Sequence, residues 1–143
     1  MSVYLYYETN FIQKKPIYNL TNTKLNFVMN NSLASKENII CIPSGKKNIY
    51  LNTEEIIYIE GLKDYVIIRH EKGREVIHCT MKGLVEMLPT ESFFRIHRSY
   101  IIALKKVLKF SSSEIEMSAN GKVAQLPISI KVKNEFMELI KNR

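Results

Sequence analysis

The chain has few cysteines, no long apolar run and few carboxylates for its number of basic residues. Its two cysteines, Cys41 and Cys79, do not form a Cys-x-x-Cys pair, so neither a disulfide framework nor a zinc knuckle is predicted. No stretch reaches the roughly 18 apolar residues that span a bilayer, and residues 1–10 lack the basic and apolar segments of a secretory leader. These absences favour a reduced, cytoplasmic protein that does not enter a membrane.

The shortage of acidic residues leaves the chain strongly basic. Its 143 residues include 21 Lys and Arg but only 14 Asp and Glu, which gives a formal net charge of +7. This balance suits a polyanionic partner such as nucleic acid, although a solvated basic surface alone explains a good share of such proteins. The length is typical of one domain with its own core.

The basic residues are concentrated in one segment of the chain. Residues 93–102 read FFRIHRSYII, and residues 94–110 contain five Lys or Arg and no carboxylate. Arg95, His97 and Arg98 interrupt a strand-forming run, which predicts two strands joined by an exposed polar tip. The aromatic and β-branched residues around that tip are predicted to be core.

Regular secondary structure is predicted from about residue 39 onward. Residues 1–37 mix asparagine, tyrosine and short apolar clusters without a period, so we interpret them as an N-terminal extension or arm before a domain at residues 38–143. Thr80 is predicted to cap a helix at residues 81–88, and Ser129 to cap a final helix with an apolar stripe at Val132, Phe136, Leu139 and Ile140. Strands are predicted at residues 39–42, 48–52, 56–60, 65–70, 75–80, 107–111, 114–118 and 122–127, with Asn120-Gly121 as a hairpin turn.

Four segments, taken in order, resemble the LytTR family of bacterial DNA-binding domains. They are IIYIEGLKDYVIIRH at residues 56–70, CTMKGLVEMLP at 79–89, FFRIHRSYII at 93–102 and LPIS at 126–129. The resemblance implies a mainly β fold with two short helices and an elongated arrangement of small antiparallel sheets, in which loops between strands contact DNA. It also implies double-stranded DNA with paired direct repeats as the partner, bound and bent by two copies of the chain. Since about 37 residues precede the matching region, we expect no receiver domain of the kind that the family usually carries.

The same resemblance implies three DNA-contacting loops, at residues 63–65, 97–99 and 129–133. Arg98 is the first candidate for base reading, because a guanidinium can donate two hydrogen bonds to a guanine or to a phosphate. Its alternative role is an ion pair with a surface carboxylate. His97 and Tyr65 have packed, structural alternatives, and Lys131 is expected in the first turn of the last helix. The predicted DNA-binding residues are Lys63, Tyr65, His97, Arg98, Ser99, Ser129, Lys131 and Lys133, with Lys105, Lys106, Arg95, Lys82 and Lys109 as phosphate contacts.

Enzymatic activity is not predicted, and neither is a metal or a cofactor. His78 and Cys79 are adjacent on a predicted strand and so face opposite sides, and no glycine-rich phosphate loop is present. RNA binding would need exposed aromatic platforms, whereas the aromatics here fall mostly at core positions. We predict a regulator of transcription that reads the major groove of specific duplex DNA. A partner-binding module, such as an antagonist of a related regulator, stays open as the alternative.

Overall fold

The computed structural model describes residues 38–143. The chain divides into two units, Met1–Glu54 and Glu55–Arg143. The predicted extension at residues 1–37 lies outside the described residues, and the domain boundary at residue 38 stays a prediction. Within residues 38–143 the fold is mainly β, with small antiparallel sheets and two α-helices, which confirms the predicted fold class.

The described part of the first unit is a β-hairpin. Strands β1 (Ile39–Ser44) and β2 (Lys47–Asn52) pair antiparallel. The turn between them contains Gly45 at φ 64°, a left-handed conformation that glycine adopts without strain. The predicted strand ended at residue 42, but β1 continues and Pro43 pairs with Asn48. Proline is tolerated there because both strands of a two-stranded sheet are edges.

The second unit contains two sheets and two helices. Its five-stranded antiparallel sheet has the order β5-β4-β3-β7-β6, and its three-stranded sheet has the order β10-β9-β8. The strands are β3 (Ile56–Leu62), β4 (Tyr65–His70), β5 (Gly73–Ile77), β6 (Phe93–His97), β7 (Tyr100–Ala103), β8 (Val107–Phe110), β9 (Glu114–Ala119) and β10 (Lys122–Pro127), and the helices are α1 (Met81–Met87) and α2 (Lys133–Lys141).

One face of the five-stranded sheet packs against the three-stranded sheet and α2. Tyr58 and Ile102 share a buried cluster with Met117 and with Phe136, which is 1% exposed. The ring of Phe136 lies 5.7 Å from the rings of both Phe94 and Phe110. The apolar stripe predicted for the last helix is confirmed, because Val132, Leu139 and Ile140 pack against this cluster. No helix in residues 38–143 has the length and apolar character needed to cross a membrane.

Local chemistry explains several element boundaries. The hydroxyl of Thr80 accepts a 3.0 Å hydrogen bond from the Gly83 amide, so it caps α1 as predicted. Asn120 and Gly121 both have positive φ and join β9 to β10, which confirms the predicted hairpin turn.

Two of the sequence-based boundaries that are wrong lie beside candidate functional residues. Strand β5 ends at Ile77, so His78 and Cys79 lie beyond the strand. The last helix begins at Lys133 with Val132 at its N-cap, and Ser129 does not cap it. Ser129 instead closes a separate turn, in which its hydroxyl accepts from the Lys131 amide at 3.3 Å and its carbonyl accepts from the Val132 amide at 3.1 Å. Lys131 therefore precedes the helix and is not in its first turn.

Candidate nucleic-acid interface

The first predicted loop is the tip of the β3–β4 hairpin. Leu62 pairs with Tyr65, which leaves Lys63 and Asp64 as a two-residue connection. Lys63 has φ 57°, and a positive φ at the first of two loop residues is typical of a type II′ turn, where glycine is usual. Lys63, Asp64 and Tyr65 are all exposed, so this tip presents its charged side chains to solvent.

The second predicted loop is the connection between β6 and β7. His97 pairs with Tyr100, and Arg98 and Ser99 form the connection between them. The Ser99 amide donates to Nδ1 of His97 at 3.1 Å, and Nη2 of Arg95 donates to the carbonyl oxygen of Arg98 at 2.7 Å. These two bonds hold the loop backbone. With its Nδ1 engaged and its ring 5.8 Å from that of Tyr100, His97 braces this loop, and its contact with DNA stays a prediction.

The side chain of Arg98 is exposed beyond this braced backbone. Within residues 38–143 it forms neither an ion pair nor a side-chain hydrogen bond. A guanidinium in that situation keeps all five of its N–H donors available to a ligand. Arg98 is therefore free to contact a base edge or a phosphate.

Two backbone hydrogen bonds bring all three predicted loops to the same end of the five-stranded sheet. The Gly61 amide donates to the carbonyl oxygen of Ser99 at 2.8 Å, which places the β3–β4 tip beside the β6–β7 connection. The Ser129 amide donates to the carbonyl oxygen of Ile96 at 2.7 Å, which places the segment before α2 beside the same connection. We call residues 63–65, 97–99 and 129–131 the loop surface.

Helix α1 approaches the loop surface at Gly61. A Cβ atom built on Gly61 would lie 3.0 Å from Cγ of Met81 and 3.8 Å from Cα of Ser99, so the backbone of β3 lies close to both. Lys82, the next residue along α1, is exposed. Tyr65 contacts the exposed His78 edge-on, with ring centroids 5.2 Å apart, so its ring lies at the rim of the fold. The loop surface thus borders the start of a helix that carries a further cation.

The third predicted loop presents one basic and one apolar side chain. Lys131 is exposed, whereas Lys133 is partly buried as the first residue of α2. Between Ser129 and Lys131, the side chain of Ile130 is 86% exposed. Sequence reasoning missed Ile130. The signal that could have identified it is that this apolar residue lies off the buried stripe of the last helix.

Lys105 and Lys106 lie away from the loop surface. They follow the Ala103 end of β7, whereas the loop surface adjoins the Tyr100 end of that strand. The ammonium group of Lys106 forms an ion pair with Glu71 in the β4–β5 turn. The hydrogen bond from Lys106, followed by its positive charge, lowers the pKa of Glu71. The phosphate contacts predicted for Lys105 and Lys106 remain a prediction, and they would form a separate region from the three loops.

The β4–β5 turn is also tied to the β9–β10 hairpin. Nδ2 of Asn120 donates to the carbonyl oxygen of Glu71 at 3.0 Å and to that of His70 at 3.3 Å. Lys106, Glu71 and Asn120 therefore form one polar junction between elements of the second unit. The charge of Lys106 is thus paired with a carboxylate within the second unit.

Several comparisons place the chain beside known proteins. A family model described as the LytTr DNA-binding domain matches residues 46–141, which confirms the resemblance noted in the sequence. The sensory transduction proteins LytT of Bacillus anthracis and Bacillus cereus are each 25% identical over 107 residues, a region that covers 71% of this chain and 42% of each relative. The chain therefore spans less than half the length of these relatives.

A solved structure shares the fold. A LytTr DNA-binding domain from Bacillus cereus matches with a TM-score of 0.58 and 18% identity, covering 72% of this chain and 96% of that domain. At this identity the match shows the architecture alone.

Proposed function

Because the chain belongs to the LytTR family of DNA-binding domains, we propose that it is a transcription regulator that reads specific duplex DNA through the loop surface. The observation that carries this proposal is the pair of backbone hydrogen bonds, Gly61 to Ser99 and Ser129 to Ile96, that gathers three loops at one end of a sheet. A surface built from loops on packed strands can hold its side chains in a fixed arrangement.

The side chains of the loop surface suit a major groove. Arg98 can donate two hydrogen bonds to O6 and N7 of a guanine, the commonest specific contact to a base. Lys63 and Lys131, exposed on the two flanking loops, can contact phosphates and so fix the register of the protein on the duplex. Ser99, Ser129 and Tyr65 add hydroxyl groups at the margins, and Lys133 and Lys82 lie at the adjoining helix ends.

Affinity and specificity would then come from different residues. Lysines on phosphates contribute a salt-dependent affinity that is the same for every sequence, whereas Arg98 discriminates between bases. We also propose, from membership of the family, that the target contains paired direct repeats and that two copies of the chain occupy it. In this proposal residues 38–143 form the DNA-binding domain.

The proposal is tested by selecting duplexes from a random pool with the full chain. The recovered duplex and a scrambled duplex are then titrated at several salt concentrations, and their affinity ratio should stay large as both affinities fall. Recovery of no common sequence would contradict specific DNA binding and would favour the partner-binding alternative.

A substitution tests the role of Arg98. Arg98→Ala should cost about 1–3 kcal/mol on the recovered duplex and relax the preference at one base pair. Arg74→Ala is the matched control, because Arg74 is also exposed on this sheet but lies near the β4–β5 turn, at the other end of the strands. If Arg98→Ala and Arg74→Ala changed the affinity and the base preference equally, Arg98 would not be the base-reading residue.

A further inference from the structure

Ile130 is the most exposed large apolar side chain among residues 38–143. It is 86% exposed, whereas the next, Val123, is 59% exposed. Moving an isoleucine side chain out of water is favourable in free energy, and an exposed isoleucine does not gain it. The fold is therefore not stabilised by an apolar group at this position. A ligand that covers the side chain would recover that transfer.

The backbone around Ile130 is held in place. On one side, the Ser129 amide is bonded to Ile96 at 2.7 Å. On the other side, the Lys131 amide donates to the hydroxyl of Ser129 at 3.3 Å, and the Val132 amide donates to the carbonyl oxygen of Ser129 at 3.1 Å. The β-branched side chain is itself restricted in rotation. Because the backbone and side chain of Ile130 are already restricted, little conformational entropy would be lost when a ligand binds to it.

The surroundings of Ile130 indicate what would cover it. Its neighbours on the loop surface are polar or basic: Ser129 and Lys131 on either side, and Arg98 across the bond to strand β6. A ligand that suits these neighbours carries phosphates and hydrogen-bonding base edges. The apolar group that such a ligand offers in its major groove is the C5-methyl of thymine.

We propose that Ile130 determines specificity by packing against the C5-methyl group of a thymine in the bound site. This inference rests on the proposed function, because it assumes that the loop surface faces the major groove. It differs from the alternative in which Ile130 inserts between base pairs as an apolar wedge, since a wedge acts through unstacking and does not require the methyl group.

The test removes the methyl group from the DNA. Each thymine of the duplex recovered by selection is replaced in turn by deoxyuridine, and the affinity of the full chain is measured for every substituted duplex. One position should lose affinity by about fourfold, the equivalent of one buried methyl group. With Ile130→Ala, thymine and deoxyuridine at that position should bind equally, because the isoleucine that contacts the methyl group is gone.

Two variants serve as controls. Ile130→Val keeps a β-branched side chain and should retain a preference for thymine. Val123→Ala removes an exposed apolar side chain from β10, six residues before Ser129 in sequence, and should leave the preference unchanged. Because Ile130 is exposed, the Ile130→Ala variant should melt at the wild-type temperature, which shows that it is folded.

The outcomes separate this inference from the proposed function. If Ile130→Ala keeps the full preference for thymine at every position, the inference is wrong while the DNA-binding function stands. If Ile130→Ala weakens binding to thymine and deoxyuridine duplexes alike and reduces DNA bending, Ile130 is a wedge and the inference is again wrong. If the wild-type chain selects no duplex at all, the proposed function fails and this inference fails with it.

Discussion

The amide of Ser129 donates a 2.7 Å hydrogen bond to the carbonyl oxygen of Ile96. This bond joins the turn before α2 to strand β6, directly beside His97. It also explains why Ser129 does not cap the helix. The serine is held at the sheet, and the chain needs a further turn before the helix begins at Lys133. The same bond holds the turn that carries Ile130 and Lys131 against the end of β6 that leads into the loop with Arg98.

Arg95 is expected to position Arg98 instead of contacting a phosphate. Its Nη2 donates to the carbonyl oxygen of Arg98 at 2.7 Å, and Arg95 is partly buried. Arg95→Leu should therefore lower affinity for the selected duplex by about 1–2 kcal/mol, through loss of this bond, without changing which bases are preferred. In an Arg98→Ala background the same substitution should cost much less, because the residue that it positions is absent. DNA affinity is measured by titration for the wild type, the two single variants and the double variant. If the two losses of affinity add in the double variant, Arg95 contacts a phosphate directly.

Lys63 is expected to lower the stability of the fold in exchange for placing a cation at the hairpin tip. Its φ of 57° is unfavourable for a residue with a side chain. Lys63→Gly should raise the free energy of unfolding by about 0.5–1 kcal/mol in urea titrations and should weaken binding to all duplexes alike. Lys122→Gly is the control and should lower the free energy of unfolding, because Lys122 is a strand residue without a positive φ. A loss of stability in Lys63→Gly would contradict strain at this position.

The ion pair between Lys106 and Glu71 is expected to make stability depend on pH. The pKa of Glu71 is lowered in the folded state by the hydrogen bond and charge of Lys106. A lowered carboxyl pKa adds stability above the ordinary glutamate range, and this stability is lost as the pH falls through the folded pKa. Lys106→Met should therefore melt below wild type near neutral pH, and the two melting curves should converge in acid.

The same variant tests where DNA contacts lie. Because the Lys106 ammonium group is paired with Glu71 and lies away from the loop surface, Lys106→Met should change DNA affinity little at constant salt. A uniform loss of affinity for all sequences would instead support the phosphate contact indicated by the sequence.

Phe136 is expected to be the side chain that secures α2. It is 1% exposed, and its ring lies 5.7 Å from those of Phe94 and Phe110. Phe136→Ala should destabilise the fold by about 3–5 kcal/mol, since it removes a buried ring and leaves a cavity. Asn134→Ala, at an exposed position of the same helix, should change the unfolding midpoint by much less. Equal effects in urea titrations would show that α2 is not anchored by this ring.

The sequence by itself determined the elements that short-range chemistry controls. Thr80 caps α1 because its hydroxyl reaches an amide three residues later, and Asn120-Gly121 turns the chain because both residues tolerate positive φ. The stripe of Val132, Phe136 and Leu139 follows from helix periodicity. The order of four short segments was enough to indicate the family. All of these depend on residues within a few positions of one another or on their order along the chain.

Only the tertiary structure decided which side chains share a surface. The contacts that assemble the loop surface, Gly61 to Ser99 and Ser129 to Ile96, are backbone hydrogen bonds between segments far apart in sequence. Any non-proline residue can donate such a hydrogen bond, so no pattern of side chains in the sequence predicts it. The same long-range packing brings Lys106 to Glu71 and leaves the side chain of Ile130 exposed. The local sequence determined which secondary structure each segment forms. The pairing of distant strands determined which charged and apolar side chains lie on one surface, where a ligand can contact them together.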